Sequence, residues 1–332
     1  MSTAENISAP SGRPQLSIRS IVNNAGIGLA LLLMIAFFSI ASEHFLSANN
    51  ITNILTQITI NLILAVGMTF VILIGGIDLS VGSVMAFAAV VAGKAITLPG
   101  MGPTELIILA VLAGLTAGMI CGIINGAVSA YWSLPSFIIT LGMLNIARGA
   151  GLQISGAQTI YSFPFAFEEF GSMLIFGVPV VFLVALSLVL IAWFVLNRTV
   201  FGRLIYGIGN NEEAVRLAGH NVFWYKVAAF SICGLCAGIA AIIYMARLNI
   251  ASPIAGIGFE LNAIAAVIIG GTSLSGGRGS VIGTLLGAFI IGVLANGLIL
   301  IGLSDFVRQM ITGVVIVVAV ILDHYRAKYS AS

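Results

Sequence analysis

The chain has 332 residues, of which 60% are apolar and only 7% are Asp, Glu, Lys or Arg. Soluble domains carry about 25% of these charged residues, because they need them to cover a water-facing surface. The composition therefore excludes a soluble globular fold and predicts an integral membrane protein. The net charge of +2 comes from scattered Lys and Arg residues without a basic stripe, which argues against a nucleic-acid partner.

Residues 1–24 are polar and contain Pro10 and Pro14, so we expect a disordered cytoplasmic tail before the first apolar run. After this tail the chain alternates apolar runs with short polar loops, and about 20 apolar residues suffice for a membrane helix. The pattern predicts an all-α integral membrane protein with about ten transmembrane helices over residues 25–323, followed by a cytoplasmic tail over residues 324–332. The predicted spans are, in chain order, Ala25–Ala41, Ile51–Ile74, Val81–Ala95, Glu105–Tyr131, Pro135–Ile154, Met173–Leu196, Val222–Ala246, Glu260–Gly271, Val281–Ile301 and Phe306–Asp323.

The distribution of Lys and Arg among the loops predicts the orientation, because loops rich in these residues stay in the cytoplasm. An even number of spans places both termini on the same side. With both termini in the cytoplasm, most basic loop residues lie inside, including Arg198, Arg203 and Arg216. We therefore predict that both termini are cytoplasmic.

Glycine repeats at every fourth residue within the predicted span Glu105–Tyr131, at Gly114, Gly118, Gly122 and Gly126. Such a stripe lets two helix backbones approach closely, which is the main way to hold helices together in lipid. The stripe predicts a tightly packed helix pair, and this explanation needs neither a pore nor a dimer seam.

Two glycine-rich breaks share a sequence frame. Residues Gly75–Ser83 read GGIDLSVGS and residues Gly270–Ser280 read GGTSLSGGRGS, and each lies between two apolar runs. Internal duplication is common in transporters, and non-helical backbone at membrane depth must be buried or line a cavity. We interpret the frame as a pseudo-repeat, with coincidence in a glycine-rich chain as the alternative. The residues that would then line a translocation path or an inner gate are Asp78, Ser80, Ser273 and Ser275.

Asp78 is the most informative single residue, because an ionisable group between two apolar runs is costly and is a functional candidate by default. A structural alternative is that Asp78 or Ser80 caps the free N–H groups where the span from Val81 begins. The sequence leaves the gating role and the capping role equally open.

A short amphipathic helix is predicted in the cytoplasmic loop over about residues 197–222. Asn210 or Asn211 is a suitable N-cap, Glu212 and Glu213 occupy the first turn, where the helix dipole favours anions, and Gly219 is a suitable C-cap.

This helix would present Ala214, Leu217 and Ala218 on one side and charged residues such as Arg216 on the other. Such a face suits docking of a helix into the groove of a partner protein. A connector that lies on the membrane surface is the alternative.

The chain from about Ile51 to Asp323 resembles the ribose-type sugar permeases of ATP-binding-cassette importers, within the branched-chain amino acid/ribose permease superfamily. Four segments carry the resemblance, in order and spacing: Gly75–Ser83, Pro135–Met143, Asn210–Gly219 and Glu260–Ser280. The resemblance implies that the loop helix is the coupling helix that docks on the ATPase subunit. Its residues would be Asn211, Glu212, Glu213, Ala214, Arg216, Leu217 and Gly219.

The resemblance also implies the partners and the location. Such a permease forms a homodimer in the bacterial cytoplasmic (inner) membrane, binds ATPase subunits inside and receives sugar from a periplasmic or extracellular sugar-binding protein. ATP and Mg are held by the ATPase, and the chain itself is expected to have no cofactor, no metal and no catalytic residue. It contains no Gly-x-x-x-x-Gly-Lys-Ser/Thr phosphate loop, which agrees with this division. A monosaccharide is the expected substrate, ribose first.

Two other classes compete with this interpretation. A secondary transporter driven by an ion gradient would need several carboxylates or histidines within the membrane, and the chain offers Asp78 and Glu260, both near span ends. A membrane-embedded enzyme would need a catalytic cluster, but His44, His220 and His324 lie in loops or tails, far apart in sequence.

Overall fold

The structure, a computed structural model, describes residues 18–331, and it describes side-chain surroundings for residues 26–318, 320 and 321. The first seventeen residues of the predicted N-terminal tail lie outside the described residues. The helices are α1 (Ile18–Ala41), α2 (Ala48–Leu73), α3 (Val81–Ile96), α4 (Pro103–Tyr131), α5 (Ser136–Ser155), α6 (Phe165–Ser172), α7 (Val180–Arg198), α8 (Val200–Asn210), α9 (Glu212–Leu217), α10 (Val222–Leu248), α11 (Phe259–Ile269), α12 (Val281–Leu300) and α13 (Asp305–Ala331). The short strands are β1 (Ile160–Tyr161), β2 (Leu174–Ile175), β3 (Val178–Pro179) and β4 (Ile250–Ala251), and β1 pairs with β4 and β2 with β3, both antiparallel.

Each predicted span overlaps a helix, which confirms the helical membrane architecture. Within the described residues, α2, α4, α5, α7, α10 and α12 are the six helices long and apolar enough to cross a membrane. α11 has only 11 residues. At 1.5 Å per residue it rises about 16 Å, about half of the hydrocarbon core, so it does not cross by itself. The number of complete crossings and the side of each terminus stay predictions.

Both terminal helices are longer than the sequence pattern predicted. α1 begins at Ile18, so the last residues of the expected disordered tail over 1–24 are helical. α13 continues to Ala331, so helical backbone replaces most of the expected tail over 324–332. Neither of these extensions, residues 18–24 and residues 324–331, contains a proline or glycine that would stop a helix.

The glycine stripe of α4 packs directly on the backbone of α10. A methyl group on Gly118 would lie 2.8 Å from the backbone nitrogen of Gly238 and would overlap the carbonyl oxygen of Gly234. A methyl group on Gly126 would lie 2.8 Å from Cα of Val227. The prediction of a tightly packed helix pair is therefore confirmed.

Polar side chains join α2 to α12 at two levels. The amides of Asn50 and Asn296 donate to each other, each across 3.0 Å, and both residues are buried. The hydroxyls of Thr69 and Thr284 lie 2.8 Å apart and are also buried. Because side-chain hydrogen bonds hold membrane helices in register, these pairs fix α2 against α12.

Candidate translocation and coupling site

Both glycine-rich breaks begin with the same backbone motif. Gly75 and Gly271 have φ angles of +77° and +85°. Each donates its N–H to a carbonyl three residues back, and the next residue, Gly76 or Thr272, donates to a carbonyl five residues back, over 2.8–3.1 Å. This is a Schellman motif, which ends α2 and α11 alike. The sequence frame pairs Gly75 with Gly270, whereas the structure places Gly271 in the equivalent position, so the two breaks are related with a one-residue shift.

The first break lies against the N-terminal part of α5. The backbone N–H of Ile77 donates to the hydroxyl of Ser136 over 2.9 Å, and the N–H of Leu79 donates to the hydroxyl of Thr140 over 3.0 Å. These side chains supply the acceptors that a non-helical backbone lacks inside a membrane protein. The break is therefore a non-helical segment between α2 and α3 that hydrogen bonds to α5 fix in position.

Asp78 is only 2% exposed, and its carboxylate orders the start of α3. Its Oδ1 accepts hydrogen bonds from the backbone N–H of Ser80 over 2.8 Å and from the hydroxyl of Ser80 over 2.6 Å. The Ser80 hydroxyl in turn accepts from Nδ2 of Asn125 in α4 over 2.9 Å. Asp78 and Ser80 thus join the first break to α4.

The structure contradicts the capping alternative, because neither Asp78 nor Ser80 accepts an N–H from the first turn of α3. Ser80 is the N-cap residue of α3, but its side chain makes no capping hydrogen bond. Asp78 binds the N–H of Ser80 itself, one residue before the helix, instead of an N–H in the first turn. The gating role of Asp78 stays a prediction.

The two predicted serines of the second break form a turn of their own. The hydroxyl of Ser273 accepts from the backbone N–H of Ser275 over 3.4 Å, and Ser275 is exposed. Among the described residues, no hydrogen bond joins Ser273 or Ser275 to Asp78 or Ser80. The breaks meet through their backbones instead, where the N–H of Gly277 donates to the carbonyl of Leu73 over 2.8 Å.

The loop between α7 and α10 contains two helices, of which the sequence analysis predicted one. α8 was missed, although Phe201, Leu204, Ile205 and Ile208 follow the i, i+3, i+4, i+7 spacing of an apolar helix face. Ile205 and Ile208 are buried. This spacing is the signal that could have identified α8.

The end of α8 binds the second break. The hydroxyl of Tyr206 donates to the carbonyl of Gly279 over 3.0 Å, and Nδ2 of Asn210 donates to the carbonyl of Gly277 over 3.3 Å. Burial raises the pKa of Tyr206 to about 12, so its hydroxyl keeps the proton that it donates. A methyl group on Gly209 would overlap the backbone nitrogen of Gly277. Neither Tyr206 nor Gly209 was among the site residues predicted from sequence.

α9 has the caps that the sequence predicts. Oδ1 of Asn211 accepts from the N–H of Ala214 over 3.0 Å, so Asn211 is the N-cap and Asn210 belongs to α8. Gly219 has a φ angle of +86° and follows the C-cap residue Ala218, and its N–H donates back into the last turn over 3.0 Å. These caps define a rigid six-residue helix.

The charges of α9 are paired within the chain. Glu212 lies 2.7 Å from Nζ of Lys226 at the start of α10, and Arg216 lies 3.0 Å from Glu212 and 3.3 Å from Glu213. The side chain of Leu217, in contrast, is 80% exposed. α9 therefore presents an unpartnered apolar residue next to an internally satisfied charge cluster.

These features define a multi-pass helical membrane protein with two backbone breaks, the second of them partly exposed, and an exposed short helix joined to them. A family model described as "Branched-chain amino acid transport system / permease component" matches residues 50–320, and the chain belongs to this family. The family is one of membrane permease components, so the multi-pass architecture and the membership agree.

The chain is similar to several permeases of sugar importers. It is 43% identical over 303 residues to the ribose import permease protein RbsC of Escherichia coli strain K12, covering 89% of this chain and 92% of that protein. It is 41% identical over 314 residues to RbsC of Bacillus subtilis strain 168, covering 92% and 94%. It is 37% identical over 313 residues to the fructose import permease protein FrcC of Rhizobium meliloti, covering 91% and 85%. No solved structure matches the chain.

Proposed function

We propose that this chain is the permease subunit of an ATP-binding-cassette importer that carries a monosaccharide, ribose first, across the bacterial cytoplasmic membrane. The 43% identity to a ribose import permease over 89% of the chain carries this proposal. Similarity to a fructose permease at 37% supports a monosaccharide as the class, and the higher identity to ribose permeases makes ribose the first candidate. The chain translocates the sugar and hydrolyses nothing itself.

The ATPase subunit, which holds ATP and Mg, docks on α9. Support comes from its geometry, because Ala214, Leu217 and Ala218 are exposed while the neighbouring charges are already paired. Leu217 can therefore enter a groove of the partner without leaving an unpaired charge behind. The coupling residues are those that the resemblance indicates, from Asn211 to Gly219.

The permease works as a homodimer with one path between its halves. Support comes from α5, where Asn145 is exposed at the middle of the helix, and Gly142 and Gly149 flank it with open space beside them. An amide at this depth is unfavourable in lipid, and small residues beside it suit a second helix. A second copy or the path itself covers this face.

A soluble sugar-binding protein docks outside, on the side of α6 and the strands. Exposed aromatic residues there include Tyr161, Phe165 and Phe176. Some of these residues serve as anchors at the membrane interface, as aromatic residues commonly do.

Reconstitution in proteoliposomes tests the proposal. The chain is combined with the ATPase subunit and the binding protein from its own cell, and radiolabelled ribose uptake is measured with and without ATP. We expect uptake only with ATP, and no effect of collapsing ion gradients. Uptake driven by an imposed proton or sodium gradient without ATP would instead support the secondary transporter, with Asp78 as the first coupling residue to examine.

The docking surface is tested separately with the double variant Glu213→Ala, Arg216→Ala and with Leu217→Ala. We expect each to lower co-purification of the ATPase while the permease elutes as the same folded species. Glu212 is retained in both variants because its pair with Lys226 holds α9 in place. Unchanged co-purification in both variants would place the docking site elsewhere.

A further inference from the structure

The first break, the second break and the end of α8 meet with their backbones in direct contact. A methyl group on Gly276 would lie 2.7 Å from the backbone nitrogen of Gly75 and 3.1 Å from Cα of Gly209. The N–H of Gly277 donates to the carbonyl of Leu73 over 2.8 Å. The first break, the second break and the end of α8 therefore touch without side chains between them. A shift of one segment cannot be absorbed by a rotamer change in another.

Two side chains of α8 add direct bonds to this contact. Tyr206 donates to the carbonyl of Gly279 over 3.0 Å, and Asn210 donates to the carbonyl of Gly277 over 3.3 Å. The two acceptors lie in the last part of the break, directly before α12 begins at Val281. α8 thus holds the segment that sets the start of α12.

α8 and α9 are joined by one residue that is bound to both. The N–H of Asn211 donates to the carbonyl of Gly207 in α8 over 2.9 Å, and its side chain caps α9. Because no flexible loop separates α8 from α9, a displacement of α9 is passed directly to α8. α9 is also held at Glu212, through the ion pair with Lys226 of α10, and at Val215, which is buried.

We propose that Tyr206 and Asn210 are positioning residues that pass movements of α9 to both glycine-rich breaks. This inference rests on the proposed function, in which the ATPase moves α9. When α9 shifts, α8 shifts with it, and the bonds to Gly277 and Gly279 carry the second break along. The backbone contact at Gly75 and Leu73 carries the first break. α3 and α12, which start at the two breaks, then change position together.

Single-atom variants in the complete importer test this inference. Tyr206→Phe removes one hydroxyl, and Asn210→Asp replaces the donating amide nitrogen by a carboxylate oxygen of similar size, which also brings a negative charge to the carbonyl of Gly277. Tyr225→Phe is the matched control, because that tyrosine lies at the start of α10 and its hydroxyl makes no hydrogen bond within the described residues. Ribose uptake and ATP hydrolysis are measured on the same proteoliposomes, and assembly is checked by co-purification.

We expect Tyr206→Phe and Asn210→Asp to assemble and to hydrolyse ATP within about twofold of wild type. Ribose carried per ATP hydrolysed should fall by about fivefold, the effect of one lost hydrogen bond on a two-state equilibrium. Tyr225→Phe should leave this ratio unchanged. A defect of folding alone would lower uptake and hydrolysis in parallel and would overturn the inference.

An unchanged ratio of ribose to ATP in Tyr206→Phe would also overturn it, even if Asn210→Asp failed to assemble. The proposed function fails in a distinguishable way, since wild-type protein would then show no ATP-dependent uptake at all. If the wild-type protein shows ATP-dependent uptake and both variants carry as much ribose per ATP as the wild type, only the role of α8 is rejected.

Discussion

Replacing Asp78 by Ala removes the acceptor that orders the start of α3. The N–H and the hydroxyl of Ser80, which now donate over 2.8 and 2.6 Å, would both lose their partner in a site that is 2% exposed. A buried donor left without an acceptor costs about 1–3 kcal/mol, so the two together cost about 2–6 kcal/mol. We expect Asp78→Ala to give little folded protein.

Asp78→Asn keeps one oxygen for Ser80 and exchanges the other for an NH2 group. That group is a donor in a site that is only 2% exposed. A buried donor without an acceptor costs about 1–3 kcal/mol. We expect most of the folded yield to survive, while ATP-driven uptake per folded molecule falls about fivefold or more.

Thermal unfolding in detergent gives the stability of each variant, and proteoliposome uptake normalised to folded protein gives its transport. Asp305→Ala is the matched control, since Asp305 begins α13 and is paired with Arg308 at 3.0 Å on the surface, where it contributes at most about 1 kcal/mol. Wild-type stability in Asp78→Ala would refute the hydrogen-bond reasoning. Normal uptake per folded molecule in Asp78→Asn would refute the gating role and leave Asp78 a purely structural residue.

Two further predictions concern how helices are joined. Gly118→Ala should destabilise the folded protein by about 1–3 kcal/mol in the same unfolding assay, because the added methyl group meets backbone of α10 that cannot move aside. Gly313→Ala is the control, since Gly313 has open space beside it. This variant should be neutral or stabilising by up to about 1 kcal/mol. Asn296→Leu should leave Asn50 without its reciprocal partner, and a double-mutant cycle with Asn50→Leu should give a coupling of about 0.6–1.7 kcal/mol. A coupling near zero would show that the amide pair does not hold α2 to α12.

The features that the sequence predicts well are those set by local chemistry. The apolar runs predicted a helix at the place of each proposed span, and Asn211 and Gly219 identified the caps of α9, because a cap depends on residues within one turn. The spacing of Gly118 and its neighbours predicted a close helix pair, and the structure identifies α10 as the partner. The shared frame around Gly75 and Gly271 was visible, although its register was misjudged by one residue.

The features that the sequence did not predict depend on contacts between distant segments. Nothing near Tyr206 in sequence indicates that its hydroxyl meets the carbonyl of Gly279, 73 residues away. The role of Gly209 is visible only once the break at Gly277 is placed beside it. Likewise, Asn125 joins Asp78 and Ser80 through folding, since an isolated asparagine within an apolar run carries no local signal.

The glycine-lined contact between α4 and α10 also determines what kind of motion is available to this protein. Backbone meets backbone at Gly118, Gly234 and Gly238, so no change of side-chain rotamer can take up a relative movement of the two helices. We therefore expect α4 and α10 to move together as one body during transport. The changes in helix angle that accompany transport are then expected in non-helical segments such as residues 74–80 and 270–280, and not within the α4–α10 pair.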